Sequence, residues 1–336
     1  MAPLPAGIMP DFRDTLPDLL KENYGKWVWH EPLAPGVYRH LTAEGVECIT
    51  VRVQLPPGGL LSAETLRLFS GWIREYAQAG RYTSRQGFEL VGVIPGRLTA
   101  LLSEIRDHGF AVGGTGRSLH QLKGCNGYIH CQNAAVDPPS VMKVLGDVLY
   151  DDLTAGRYPA PLKISVSGCP NQCGGAVEAD IGISGVYLDP PEVDDRRLAA
   201  SSPDYGLLCR LCPRAAVRVR SRPSGKSIII RAERCIRCAS CVMVAPEGIA
   251  MGSRRGVAIR VGGRGPDGSS PPRFGQVAVP YLPAEPPDYA AVVAKVRAIV
   301  ALWQARARPG ERIAGYVDRV GWDEFLRQIG VGAGGT

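Results

Sequence analysis

The sequence predicts an α+β fold with helices packed on mixed sheets and a small cysteine-rich domain inserted into it, and three observations carry that reading. Strand-like and amphipathic helical runs alternate over the first 110 residues. From Gly113 onward, glycine and cysteine replace that texture. Half of the ten cysteines then crowd into a proline-bounded block at residues 201–250.

After a proline-rich arm, residues 26–30 and 48–55 read as strands, the second broken by Pro56-Pro57-Gly58-Gly59. Ser62 caps a helix in which Leu66, Phe69, Ile73 and Tyr76 share one face and are expected in the core, with Gly80 ending it. Residues 81–93 read as one strand, and 99–108 as a second amphipathic helix stopped by Gly109. Further on, a helix is expected near 140–152, a strand at 161–166, a strand at 276–281, a helix at about 289–306 and a loose tail at 330–336. Residues 262–272 form a Gly/Pro/Ser stretch. The expected domains are 1–110, 111–200, the insertion 201–252, and 253–336.

The 336 residues suffice for two or three domains. No run of like charge stands out, so the formal +7 is expected to be spread along the chain. With no basic helix and no aromatic-basic platform, nucleic-acid binding is not expected. An anionic substrate or an acidic partner accounts for the surplus equally well. No charged segment precedes an apolar run at the N-terminus, and no stretch is long enough for direct membrane insertion. The expected compartment is the cytoplasm, where cysteines serve as metal ligands more often than as disulfides.

Those cysteines fall into two sets. Cys125 and Cys131 enclose five residues, Cys169 and Cys173 enclose three, and both pairs sit in glycine loops, Lys-Gly-Cys-Asn-Gly-Tyr-Ile-His-Cys and Ser-Gly-Cys-Pro-Asn-Gln-Cys-Gly-Gly. Four thiolates suit a cubane cluster, and flanking glycines let backbone N–H groups approach its sulfur atoms. Small buried hydrophobes, or zinc with unusual spacing, are the bland alternatives. In the second set Cys235, Cys238 and Cys241 form Cys-x2-Cys-x2-Cys, and Cys212-Pro213 lies upstream across a short strand pair. Bacterial ferredoxins complete one [4Fe–4S] cluster in this way. Ala245 stands where a second cluster would take its cysteine, so one cluster is expected in this block. The competing zinc ribbon would use Cys209-x2-Cys212 and leave Cys241 idle; in the cluster reading Cys209 is the spare. Arg231, Arg234 and Arg237 would moderate the cluster's charge and guide an acidic redox partner, or serve as plain surface charge.

The first set, with Gly-Cys-Pro-Asn-Gln-Cys-Gly at its centre, resembles the sulfite and nitrite reductase signature, in which a [4Fe–4S] cluster shares one thiolate with siroheme iron. That resemblance makes Cys173 the bridging ligand. The wider resemblance is to the beta subunit of dissimilatory sulfite reductase, through Tyr24-Gly25-Lys26-Trp27, Tyr82-Thr83-Ser84-Arg85, Gly113-Gly114-Thr115-Gly116 and Tyr128-Ile129-His130-Cys131. It continues through Pro271-Pro272-Arg273-Phe274, Val279-Pro280-Tyr281-Leu282-Pro283 and Gly321-Trp322, and so runs over nearly the whole chain. One departure stands out. The beta pattern often lacks the first cysteine and has adjacent cysteines before the x3 spacing, whereas this chain has Cys125 and has Gly168 beside Cys169. The two changes compensate and leave four thiolates, although at this point the chain is also similar to the alpha subunit and the assimilatory enzymes.

The resemblance implies that 1–110 is a ferredoxin-like α+β sulfite/nitrite reductase domain. Residues 111–200 would begin a siroheme/[4Fe–4S] domain that 253–336 complete, with 201–252 a ferredoxin-type [4Fe–4S] insertion. It implies siroheme and two [4Fe–4S] clusters as cofactors, and six-electron reduction of sulfite toward sulfide, or the reverse. Implied partners are an alpha subunit in an α2β2 assembly, a small sulfur-carrier protein with C-terminal cysteines and a low-potential electron donor. An oxyanion and a heme rich in carboxylates call for inward-pointing cations. Arg85, Arg117 and Lys163 are the candidates, and Arg85 and Lys163 join Cys173 as expected catalytic residues. His120 lies where an arginine is expected and counts with them as cofactor-binding. In the family the sulfite-binding cations and the cluster cysteines come from opposite pseudo-symmetric halves, so the thinning of a lysine pair to Lys163 is tolerable if an alpha subunit supplies the anion site. His130 is a packed loop histidine or a proton donor. Electrons are expected to enter at the insertion and pass by way of the first cysteine set to the siroheme. The rival readings are an assimilatory sulfite or nitrite reductase, a non-catalytic electron-transfer or scaffold subunit, and a zinc-containing binding module.

Overall fold

The computed structural model describes residues 11–223, 225–265 and 270–331. The first ten residues of the arm, residues 332–336 of the expected tail and part of the stretch 262–272 lie outside the described residues. The chain divides into two compact units, Met1–Gln121 with Leu149–Leu162, and Leu122–Val148 with Lys163–Thr336.

In the first unit a short helix α1 (Asp18–Glu22) precedes strands β1 (Trp27–Ala34), β2 (Val37–Thr42) and β3 (Glu47–Gln54). Helix α2 (Ala63–Tyr76), strands β4 (Ala79–Tyr82) and β5 (Gly87–Val93), and helix α3 (Leu98–Asp107) follow. The strands form an antiparallel sheet in the order β1-β2-β3-β5-β4. Strand β2 goes unread in the sequence because Arg39 and His40 interrupt its apolar alternation; it is the return arm of a hairpin turned at Pro35-Gly36, where Gly36 has φ +80°. Residues 81–93 form parts of two strands, not one. The turn between them is held by the Gly87 N–H donating to Thr83 Oγ1 at 3.1 Å, with Gln86 in the left-handed region. Arg85 therefore sits on a turn and does not end a strand.

Ser62 caps α2 as expected, its Oγ accepting from the Thr65 N–H at 3.2 Å. The helix stops at Tyr76, ahead of Gly80, which lies in β4. Its buried face is Phe69, Trp72 and Tyr76, with Ile73 partly buried beside it; Leu66, expected in the core, is 46% exposed because the stripe turns through Trp72 instead. Inward residues of β3 (Ile49, Val51, Val53) and of α3 (Leu101, Ile105) complete this core. Each such side chain contributes about 1.5–3 kcal/mol through burial. Glu104 of α3 clamps the two helices, accepting from Trp72 Nε1 at 2.9 Å and from the Tyr76 hydroxyl at 2.5 Å. The opposite face of β3 carries Cys48, Thr50, Arg52 and Gln54, so the period of two separates an apolar side from a polar one.

Chain order continues with β6 (Leu119–Gly124), α4 (Pro138–Val148) and α5 (Tyr150–Thr154). The single helix expected over 140–152 is broken at Leu149, and α5 falls in the first unit while α4 falls in the second. Strands β7 (Leu162–Ser167) and β8 (Ile181–Tyr187) come next, then β9 (Glu192–Val193) and helices α6 (Asp195–Ser201) and α7 (Tyr205–Arg210). A hairpin of β10 (Val217–Arg222) and β11 (Gly225–Ile230) leads to α8 (Ser240–Val244) and to β12 (Ile249–Ala250), which pairs with β9. Strands β13 (Arg255–Val261) and β14 (Gln276–Leu282) and helices α9 (Ala290–Arg306), α10 (Ile313–Val320) and α11 (Trp322–Gln328) close the chain. The second large sheet runs β14-β13-β8-β7-β6, with β7 and β8 parallel and β13 antiparallel to both neighbours. Its central strands bury Ile164, Val166, Ile181, Ile183, Val257 and Ile259. This near-continuous apolar run is what a sheet covered on both faces requires. The inserted block has its own core of Leu198, Leu208, Val217, Ile228, Val242 and Ile249.

Candidate functional site

Strands β6 and β7 deliver the first cysteine set. Cys125 follows β6 directly and its N–H donates to Val166 O at 3.1 Å; Cys169 lies just past the end of β7. The Gly168 N–H donates to Cys125 Sγ at 3.2 Å. A side chain at Gly174 would put its Cβ 2.1 Å from Val166 O and 3.0 Å from Cys125 N, so only glycine lets the second loop close on the first. Burial pushes the Cys169 thiol up, and the neighbouring sulfurs of Cys131, Cys125 and Cys173 add to the effect. Each of the other three sulfurs thus lies near enough to act on Cys169, and the contacts of Gly168 and Gly174 bring the loop of Cys169 and Cys173 onto Cys125. Cys169 is buried, Cys125 and Cys131 are half-buried and Cys173 is exposed. The Tyr187 hydroxyl donates to Ala134 O at 2.9 Å and pins the loop after Cys131; burial, then Tyr128, pushes it up to about 12. Four thiols, two of them (Cys125 and Cys169) with backbone N–H donors and one (Cys173) open to solvent, fit a cubane that shares its fourth ligand.

In the inserted block Cys212, Cys235, Cys238 and Cys241 line one cavity with Pro191 and Pro213. Cys209 does not line it and packs against the block's apolar core. Among the described residues no three His, Cys, Asp or Glu side chains are placed to hold a metal ion. Burial would raise the Cys212 thiol, but N–H groups of Arg214, Ala216 and Val217 and the charge of Arg234 outweigh it and hold it below its ordinary value. The Ala216 N–H reaches Cys212 Sγ at 3.1 Å and the Arg237 N–H reaches Cys235 Sγ at 3.4 Å. Cys241 is pushed up to about 12 by burial and by Cys235 and Cys238 beside it. Ala245 is buried.

The formal charge is not spread along the chain. Between residues 204 and 240 nine cations (Arg210, Arg214, Arg218, Arg220, Arg222, Lys226, Arg231, Arg234, Arg237) face two carboxylates, Asp204 and Glu233; this surplus of seven equals the +7 of the whole chain. The concentration escapes a search for runs because apolar and cysteine residues separate the charges.

The candidate cations fall in different units. Arg85, Arg117 and His120 belong to the first, Lys163 and Cys173 to the second. Arg85 is half-buried on its turn, and burial, then Arg52, lowers its guanidinium below the ordinary value. Arg52 was not singled out by sequence. It donates to Gly114 O at 3.1 Å and to Glu89 Oε1 at 3.3 Å, and Glu89 also binds Arg81. The polar alternation of β3 is the signal that could have found it. Arg117 Nε donates to Tyr158 O at 2.6 Å. His120 lies in β6 with both ring nitrogens shielded from solvent. Lys163 lies in β7, where its N–H donates at 2.9 Å to Asp180, a fully buried carboxylate held by Arg312 at 2.8 and 3.0 Å. The Asp180–Arg312 pair is 132 residues apart in sequence and leaves no local signal. His130 is exposed.

Two families match the chain: the nitrite and sulphite reductase 4Fe–4S domain over residues 115–334, and the nitrite/sulfite reductase ferredoxin-like half domain over residues 40–108. The chain is 31% identical over 333 residues to the dissimilatory-type sulfite reductase subunit beta of Nitratidesulfovibrio vulgaris, covering 95% of this chain and 87% of that one. Similarity to the subunit alpha of Allochromatium vinosum is lower, 27% over 84% of this chain and 69% of the other. Among solved structures, the crystal structure of dissimilatory sulfite reductase I superposes with a TM-score of 0.82 at 20% identity, over 94% of this chain and 80% of that one, a likeness of fold. No helix among the described residues is long and apolar enough to cross a membrane.

Proposed function

The chain belongs to the nitrite and sulphite reductase 4Fe–4S family, and from that premise we propose that it is the beta subunit of a dissimilatory-type sulfite reductase. The observation that carries the proposal is the closing of the Cys169–Cys173 loop on Cys125 through Gly168 and Gly174, with Cys169 buried and Cys173 exposed. In this reading those four hold a [4Fe–4S] cluster, Cys173 also ligates siroheme iron, and Cys212, Cys235, Cys238 and Cys241 hold a second [4Fe–4S] cluster. When bound, siroheme and its cluster would supply the electrons that reduce sulfite toward sulfide, or accept them in the reverse direction.

The chain's own residues hold and screen. The N–H of Gly168 stabilises thiolate charge at Cys125, and those of Arg214, Ala216 and Val217 do so at Cys212. Arg85 and Lys163 are proposed for anion contact, and Arg117 and His120 for the cofactor's carboxylates. The greater similarity to beta than to alpha subunits favours an alpha partner in an α2β2 assembly. A sulfur-carrier protein and a low-potential donor complete the proposed system, in the cytoplasm.

The test is a Cys173→Ser variant co-expressed with its alpha partner and purified without oxygen. Siroheme absorption bands assigned to this chain should disappear while the second cluster's electron paramagnetic resonance signal remains. Retention of full siroheme absorption would overturn the role of Cys173.

A further inference from the structure

We propose that the arginine rim of the second cysteine quartet is the docking surface for an acidic, single-electron carrier protein, an inference that rests on the cluster reading above. Residues 204–240 carry a surplus equal to that of the whole chain, and Arg214 of this segment lines the cavity together with Cys212, Cys235, Cys238 and Cys241. Their pairing divides them. Arg220 and Arg222 bind Asp195, Arg210 lies by Asp204, and Arg237 Nε donates to Leu188 O at 2.8 Å, so these are anchored. Arg214, Arg231 and Arg234 are exposed, and among the described residues none of them has an ion-pair partner. Arg214 lines the cavity, Arg234 directly precedes the cavity-lining Cys235, and the Arg231 N–H ties its segment to Ala216 at 2.9 Å, four residues after Cys212.

Two large apolar side chains stand in the same place. Leu211, beside Cys212, is 47% exposed, and Ile236, between Cys235 and Cys238, is 50% exposed and lines the cavity. Exposed apolar side chains and unpaired cations next to the thiols in sequence are what a brief electron-transfer encounter needs: charge speeds approach, and a small contact allows release. A nucleic acid would want stacked aromatics beside the arginines, and Tyr205 is the one aromatic of residues 201–252. In each encounter the carrier's cluster loses one electron and the quartet's cluster gains it; no bond forms and no proton moves.

The experiment uses the anaerobically purified holoprotein with its alpha partner and a bacterial 2[4Fe–4S] ferredoxin as the acidic probe. Binding of the oxidised ferredoxin, followed by calorimetry, should weaken steeply with salt, and the second-order rate of reduction by reduced ferredoxin should fall in parallel. In the R214Q/R231Q/R234Q triple variant both affinity and rate at low salt should drop about tenfold or more. R214Q alone should drop them about threefold. In R231Q, which changes no residue acting on the thiols, reduction by photoreduced deazaflavin, a small neutral reductant, should be unchanged, as should iron content. Equal ferredoxin affinity and rate in the triple variant would overturn the docking inference. So would loss of alpha-subunit assembly in that variant, which would make the rim a subunit interface, or tighter binding of single-stranded DNA than of ferredoxin. A wild-type protein with only one cluster's worth of iron would instead sink the cluster reading beneath it, a failure that iron analysis separates from the others.

Discussion

In the first quartet the thiols emerge from glycine loops at the ends of buried strands, and among the four only Cys173 is exposed. In the second they emerge from a small block with its own eight-residue core, where all four thiols are half-buried and the surrounding sequence is rich in arginine. The donors are the same and the settings are opposite. At the first, the Gly168 N–H donates to Cys125 Sγ and Cys173 stays exposed. At the second, N–H groups and Arg234 act together on Cys212, and exposed arginines project beyond it. The quartet proposed to hold the heme lies at the ends of buried strands; the quartet proposed to meet another protein lies in the segment richest in cations.

This contrast can be broken by changing one quartet and reading both. Gly174→Ala should have the largest effect, since its Cβ would lie 2.1 Å from Val166 O. We expect about 3 kcal/mol or more of destabilisation and loss of the first quartet's iron with the second's retained, read by iron analysis and electron paramagnetic resonance. Equal loss from both would show that the quartets are not independent. Leu198→Ala, in the fully buried core of the inserted block, should show the mirror image. The expected cost is about 2–5 kcal/mol, with the second quartet's iron released first during chemical denaturation.

Two substitutions away from the quartets sharpen the comparison as references. Glu104→Gln removes the charge that clamps Trp72 and Tyr76 in the first unit and should cost about 1–2 kcal/mol in thermal unfolding, with iron content unchanged. The smallest effect is expected at Glu311, whose carboxyl is held below its usual range by Arg319, with the Arg308 N–H assisting. Its folded pKa lies below the unfolded value, so its contribution is full above the unfolded value and is lost as pH falls through the folded one. Glu311→Gln should destabilise by about 1 kcal/mol at pH 7, and the gap to the unchanged protein should narrow below about pH 4 in denaturant titrations.

Much of the cysteine chemistry was legible because ligand spacing is local: Cys-x5-Cys, Cys-x3-Cys and Cys-x2-Cys-x2-Cys each lie within one loop, and the structure groups Cys212 with the last run while leaving Cys209 outside the cavity. Capping was legible for the same reason, as at Ser62. Elements defined by hydrogen bonds across the chain were not. The β4–β5 turn depends on Thr83 meeting Gly87, and within the unbroken stretch 81–93 nothing in the apolar pattern marks it. Leu66 was misplaced because periodicity gives the stripe but not its edge, which Trp72 and the sheet decide. Arg52 and the Asp180–Arg312 pair need partners far along the chain; Arg231 and Arg234 were legible beside the cysteine run, whereas Arg214 and the concentration of charge as a whole escaped because the charges never adjoin.

The direct test of two separate quartets is Mössbauer spectroscopy of the iron-57-enriched, anaerobically purified protein with zinc analysis alongside. The account predicts about eight cluster iron atoms in this chain, in two [4Fe–4S] populations, one of them magnetically coupled to siroheme iron and lost selectively in Cys173→Ser. A single cluster population, or zinc in place of the second, would contradict it.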